Sequence, residues 1–169
     1  MRKDRPTPDL PALTAAFTQA ERRLLLLDYD GTLTDIKPRP QDAAPTPRLT
    51  GLLRDLTTLP NTTTAIISGR SQADIERWFG DIDGLGLAVE HGALIREPGA
   101  DGWTMLRGGM DLSWKARVKS VLEQFAASAP GSLIEDKDYA LAWHYRLVDA
   151  EFGEWLANEL VATLENQLA

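Results

Sequence analysis

The sequence predicts an α/β fold: a Rossmann-like parallel sheet core, followed by a smaller α+β unit. Three observations carry this reading. Residues 24–34 read Leu-Leu-Leu-Leu-Asp-Tyr-Asp-Gly-Thr-Leu-Thr, a short apolar run that stops at two carboxylates. A β-branched run, Thr62-Thr63-Thr64-Ala65-Ile66-Ile67, likewise stops at a polar turn, Ser68-Gly69-Arg70. Segments of helical periodicity follow each run, and alternating strand and helix is how parallel sheets are built.

The elements follow in order. Residues 1–23 form an N-terminal arm with no apolar signal core, and Asp4, Pro6, Pro8 and Pro11 make its start an expected loose segment. The four leucines 24–27 suit a strand buried on both faces, as at the centre of a parallel sheet. Asp28 and Asp30 then stand just beyond the carboxyl end of that strand, where open α/β sheets bind ligands. Gly31 lets the backbone turn sharply away. Thr46-Pro47 starts a helix, with Thr as N-cap and Pro in the first turn. Leu49, Leu52, Leu53 and Leu56 give it an apolar stripe, and Pro60-Asn61 close it. After the strand 62–67, Ser71 with Asp74 opens a second helix that carries Ile75, Trp78 and Phe79. A third strand spans Leu85 to Val89, ending in Glu90-His91-Gly92.

From about residue 101 the pattern changes. Ser113 is expected to cap a helix with Trp114, Val118, Val121, Leu122 and Phe125 on one side. Pro130-Gly131 breaks it. Ser132–Asp136 and Tyr139–Arg146 read as two strands joined through Lys137 and Asp138. Tyr139, Leu141, Trp143 and Tyr145 alternate onto one face. A last helix from about Asp149 has Phe152, Trp155, Leu156, Leu160 and Leu164 as its stripe. Glu135 and Lys137, one residue apart, point to the same side of an extended chain.

Composition narrows the function classes. At 169 residues the chain makes one domain, or one with an insertion, and 43% hydrophobic content supplies a packed core. With no cysteines, disulfides and thiolate metal sites are excluded. A net charge of −7 argues against nucleic acid and anionic membranes as partners. No apolar run approaches a membrane span. A soluble, cytoplasmic protein is the expectation.

Asp-x-Asp-Gly-Thr after an apolar strand resembles the first motif of the haloacid dehalogenase superfamily of phosphotransferases. Ser68 at the end of the next strand resembles its second motif. The Leu-Asp-Tyr-Asp-Gly-Thr-Leu stretch, the loop Lys37-Pro38-Arg39-Pro40, Ile-Ile-Ser-Gly-Arg and Glu90-His91-Gly92 together resemble the trehalose-6-phosphate phosphatase family. So do Glu135-Asp136-Lys137 and Trp143-His144-Tyr145-Arg146.

The resemblance implies a division of labour. Asp28 would be the nucleophile that forms an aspartyl-phosphate, splitting one difficult step into two. Asp30 would protonate the leaving sugar oxygen and then deprotonate water. Phosphate monoesters are anionic, so a metal ion must screen the charge before another anion attacks; Mg²⁺ held by Asp28 and Asp30 suits this role. Ser68 and Gly69 would hold phosphate oxygens beside a helix N-terminus. In the α+β cap, Glu135 and Lys137 would reach the hydroxyls of trehalose 6-phosphate. Arg70 either reaches the substrate or neutralises nearby acid. Outside this context, Asp28 and Asp30 read equally as a polar turn, and Glu135 and Lys137 as a solvated hairpin. His144 reads as a packing or hydrogen-bonding residue of the cap.

The family pattern does not run to completion. No Lys-bearing segment or Gly-Asp-Asp-type acidic motif follows the cap. The expected organisation is therefore an arm (1–23), the front half of an incomplete phosphatase core (24–100) and a nearly complete cap (101–169). On that basis the 169-residue chain is expected to lack turnover alone. It is also expected to expose strand 24–27 as a sheet edge prone to self-association. Two alternatives stay open: a phosphatase of another sugar phosphate with the same cap class, and a non-catalytic sugar-phosphate-binding or regulatory module.

Overall fold

The computed structural model describes residues 8–106, 108–109 and 111–168. Residues 1–7 of the expected arm lie outside them. Its continuation is not loose: Leu10–Gln19 form helix α1, with the Asp9 carboxylate accepting from the Ala12 N–H at 3.1 Å and a proline in the first turn. No residue of α1 is buried. The helix is tied down by Arg23, which donates to the Phe17 and Thr18 carbonyls at 2.6 and 3.1 Å and lies over the Phe17 ring.

A five-stranded sheet follows, in the order β1 (Arg23–Asp28), β2 (Thr62–Ile67), β3 (Leu85–Val89), β4 (Leu94–Arg96) and β5 (Thr104–Met105). The first three are parallel and the last two antiparallel. Thr104 and Met105, assigned from sequence to the second unit, therefore extend the core sheet. The register aligns Leu25 and Leu27 with Thr64 and Ile66, and these with Leu85 and Leu87. That face is covered by α2 (Pro47–Thr57) and α3 (Gln72–Phe79), whose Leu49, Leu53, Ile75 and Phe79 share one buried cluster with Ile66, Leu85, Leu87 and Val89. Both helices start as their sequences dictate. The Thr46 and Ser71 hydroxyls accept from the N–H groups of Leu49 and Asp74, each at 3.2 Å.

The leucine run alone suggests burial on both faces, which fails; the exposed sheet edge expected of strand 24–27 is what forms. β1 is an edge strand whose accessibility alternates, with Leu24 61% and Leu26 56% exposed. Four leucines in a row satisfy a doubly covered strand, but here both helices lie on one side. Leu52 of the α2 stripe also points outward for the same reason, since the stripe is narrower than its leucines.

The second unit has the expected α-β-β-α order: α4 (Trp114–Ala127), β6 (Leu133–Asp136), β7 (Leu141–His144) and α5 (Ala150–Leu168). Strands β6 and β7 form a separate antiparallel pair. Val118, Val121, Leu122 and Leu160 make its core, against which Trp114, Phe125, Ile134, Leu141, Trp143 and Leu164 pack. Three details depart from expectation. Ser113 does not cap α4; its N–H and hydroxyl both donate to the Asp111 carboxylate, at 2.8 and 2.9 Å. Phe152 and Trp155 leave the α5 stripe and stack on each other at the surface. The strand expected over Tyr139–Arg146 shortens to Leu141–His144, and Tyr139 packs against the core of the first unit instead.

Candidate active site

The site is built at the carboxyl ends of β1 and β2. Past Asp28 the chain makes a tight turn in which the Leu33 and Thr34 N–H groups donate to the Tyr29 carbonyl at 3.0 and 3.1 Å. Gly31 sits at φ +85°, a conformation L side chains rarely adopt, so the turn that separates the two carboxylates needs glycine there. Tyr29 is fully buried between them, its hydroxyl donating to the Ala43 carbonyl at 2.5 Å and its ring packed on Trp78 and Phe79. Burial pushes this phenol up to about 12; the nearby Arg70 cation opposes the shift and the Asp30 charge adds to it. Asp28 and Asp30 consequently project outward on either side of an apolar anchor.

Their environments differ. Asp28 is solvent-exposed and accepts one hydrogen bond, from the Thr32 hydroxyl at 3.3 Å. Asp30 is gripped by Arg70, whose Nε and Nη2 reach its two oxygens at 2.9 and 2.7 Å. The remaining arm of the guanidinium donates to the Pro40 carbonyl at 2.7 Å, and its plane lies over the Trp78 and Tyr29 rings. Arg70 is 7% exposed, so this fork is preorganised by packing. The structure therefore joins Arg70 to the neighbouring acid.

Ser68 and Gly69 lie in the turn after β2. Ser68 is buried, and its hydroxyl accepts from the Arg70 N–H at 3.2 Å, leaving its own hydrogen free to donate. Gly69 has no room for a side chain: a Cβ would stand 2.4 Å from the His91 ring. His91 thus acts as packing against the loop.

Glu135 and Lys137 do converge, as their spacing implied. Lys137 is buried, with Nζ 3.4 Å from a Glu135 oxygen and donating to the Gly69 carbonyl at 2.8 Å. The same Glu135 oxygen lies 2.7 Å from His144 Nε2. That hydrogen bond holds the Glu135 carboxyl below its usual range; partial burial opposes the shift and Lys137 assists it. His144 accordingly acts within the cap, through Glu135.

Core and cap enclose a cleft of about 650 Å³. Asp28, Asp30, Gly69 and Arg70 line one wall; Glu135, Lys137, Trp143 and Arg146 line the other. The loop after β1 closes one end, where Arg146 donates to the Lys37 carbonyl at 3.0 Å. Ser68 lies behind the wall and does not line the cleft. Sequence reasoning missed Arg146 as a lining residue and Glu90 as a joint between the units. Each had a signal, Arg146 its place in the quoted cap motif and Glu90 its place in the quoted Glu90-His91-Gly92 turn, but neither motif shows a contact across the chain.

Among the described residues no group of three or more His, Asp or Glu converges. Asp28 offers exposed hard oxygens, whereas both Asp30 oxygens already face a guanidinium. These residues alone do not fit a closed metal cage. Among the described residues, no helix is long and apolar enough to cross a membrane.

Comparison with known proteins identifies the architecture. The family model described as trehalose-phosphatase matches residues 26–169. Trehalose-phosphatases of Zygosaccharomyces rouxii and Saccharomyces cerevisiae are each 43% identical, over 97% and 94% of this chain. A bifunctional trehalose-6-phosphate synthase/phosphatase of Thermoproteus tenax is 42% identical over 93% of it. The chain spans 18% to 21% of the length of these curated relatives. The solved C-terminal domain of Candida albicans trehalose-6-phosphate phosphatase superposes with a TM-score of 0.91 at 37% identity, covering 96% of this chain and 56% of that one. An Aspergillus fumigatus trehalose-6-phosphate phosphatase gives 0.60 at 42% identity, covering 95% and 59%. With two carboxylates at the end of β1, a Ser-Gly-Arg turn after β2 and an α+β cap facing both, the chain belongs to the trehalose-phosphatase family.

Proposed function

We propose that this chain supplies the nucleophilic and sugar-reading walls of a phosphatase site that converts trehalose 6-phosphate to trehalose and phosphate. The observation that carries the reading is the two-walled cleft, with an exposed Asp28 opposite Glu135 and Lys137. Asp28 is the nucleophile: one oxygen attacks phosphorus as the bond from phosphorus to the sugar oxygen breaks, and water later releases phosphate. Asp30 handles the proton at the sugar oxygen. The Arg70 fork takes one lone pair on each Asp30 oxygen and leaves another for that task. The Gly69 backbone receives the phosphate at the cleft wall, and the buried Ser68 hydroxyl behind it holds the shape of the turn. Glu135, Lys137 and Arg146 meet the sugar hydroxyls, binding energy remote from phosphorus that aligns the reacting atoms.

A divalent ion, Mg²⁺ in this reading, would draw on Asp28 with substrate and water, and would screen the phosphate charge. A phosphorylated sugar as substrate implies the cytoplasm as compartment, with neither nucleic acid nor membrane as partner. The unpaired edge of β1 supports self-association as a further property.

The test is a chimera in which this chain replaces the matching segment of the Saccharomyces cerevisiae relative. Phosphate release from trehalose 6-phosphate is expected, and none from the Asp28→Asn version. Turnover that survives that change rules out the mechanism. Preference for a different sugar phosphate rules out the substrate while keeping the chemistry.

A further inference from the structure

Glu90 is a buried carboxylate outside the cleft. It is 3% exposed and sits between the loop that carries Ser68 and the cap. Glu90 and His91 are consecutive non-glycine residues in the left-handed region, at φ 48° and 58°. Each such residue is strained and persists only where its surroundings over-determine it. Three contacts do so. The Glu90 N–H donates to the Arg70 carbonyl at 3.0 Å, and the His91 N–H to the Ser68 carbonyl at 3.3 Å. The His91 ring fills the space beside Gly69. The strained turn thus braces the Ser68-Gly69-Arg70 loop, and it turns the Glu90 side chain inward.

That side chain crosses to the other unit. One carboxylate oxygen accepts from the Tyr139 N–H at 2.7 Å, at the tip of the β6–β7 hairpin. The other oxygen is buried and has no partner among the described residues. Such a group persists where its fellow oxygen does something required. Lys137, two residues before Tyr139, meets the Gly69 carbonyl from the same tip.

We infer that Glu90 is a positioning residue, a latch that fixes the hairpin tip against the loop and so sets Glu135 and Lys137 in register with Asp28. The inference rests on the proposed site but concerns a residue that touches none of the reacting atoms. Its consequence is selective. Losing the latch lets the sugar-reading wall wander while the Asp28 side of the cleft is unchanged, so KM for a large substrate rises and turnover of a small one does not.

The decisive measurement is amide exchange of the ¹⁵N-labelled 169-residue chain, which needs no turnover. In Glu90→Ala the Tyr139 amide is expected to exchange about ten- to hundredfold faster, while Ile66 and Leu87 in the core stay protected. Glu90→Gln, whose amide oxygen still accepts, is expected to restore the native rate. Glu90→Asp, one methylene short, is not. Unchanged Tyr139 exchange in the alanine variant overturns the latch. If the alanine variant does not fold, the aspartate and glutamine variants decide: a native rate in both, or unfolding of both, overturns it. In the chimera, Glu90→Ala should raise KM for trehalose 6-phosphate several-fold and leave that for p-nitrophenyl phosphate alone; equal loss on both overturns the positioning role. An inactive chimera with a faster Tyr139 amide would refute the proposed function and leave the latch standing.

Discussion

Two aspartates two residues apart acquire different characters because Tyr29 buries itself between them. Asp28 meets only solvent and a threonine hydroxyl, while Asp30 is held by a packed guanidinium. Asp28→Asn should abolish phosphate release in the chimera without changing its melting temperature, since the amide keeps the shape but cannot attack phosphorus. Asp30→Asn should slow it by roughly two to four orders of magnitude, the usual range for a lost general acid/base. Tyr29 gives a prediction that needs no substrate. Its phenol ionises near 12 in the fold against 10.0 unfolded, so the folded state favours the neutral form. The resulting stability is complete below about pH 10 and is lost as pH climbs towards 12. An ultraviolet pH titration should show a tyrosine ionising near pH 12, and Tyr29→Phe should remove that step. The motif predicted both carboxylates. It did not show which of them Arg70 would hold, because a contact across forty positions has no local signal.

At the scale of elements, most helix starts and stripes were legible, while Ser113 and the outer residues of α5 were not. Thr46-Pro47 and Ser71 marked their helices correctly because capping is decided within a few residues. Thr46→Ala should cost about 1 kcal/mol, read as a lower midpoint in urea. The leucine run alone looks alike whether one face is covered or two; the exposed edge of β1 was legible only from the missing later motifs of the family pattern. Tyr139 was misread: its alternation matched the β7 stripe, but the strand ends before it and the ring packs on the other unit. The Ser68-Gly69-Arg70 turn is constrained from outside. Gly69→Ala drives a methyl into the His91 ring and should cost about 1–3 kcal/mol, measured by denaturant unfolding, unless His91 is also cut back to alanine. Glu135, ionised more readily than an ordinary carboxyl through its bond with His144, stabilises the cap above pH 4.5 and loses that contribution as the pH falls further.

Across the whole molecule, helices cover one face of the parallel strands and leave Leu24, Leu26 and Ile67 on the other. An unpaired apolar edge with one bare face is a template for another chain. Sedimentation should show association that rises with protein concentration, and Leu24→Lys with Leu26→Lys should suppress it without disturbing the buried side. A concentration-independent monomer rules this out. The seam between the units has a further consequence for how sequences of this kind can diverge. Lys137 grips a carbonyl of the core, Arg146 grips a carbonyl of the loop after β1, and Glu90 grips an N–H of the cap. Every stitch runs from a side chain on one unit to main chain on the other, so only one end of each can be altered by substitution. The loop around Lys37 is therefore free to change its side chain under mutation, while the seam answers to Glu90, Lys137 and Arg146, and to the Tyr139 ring that packs on the core.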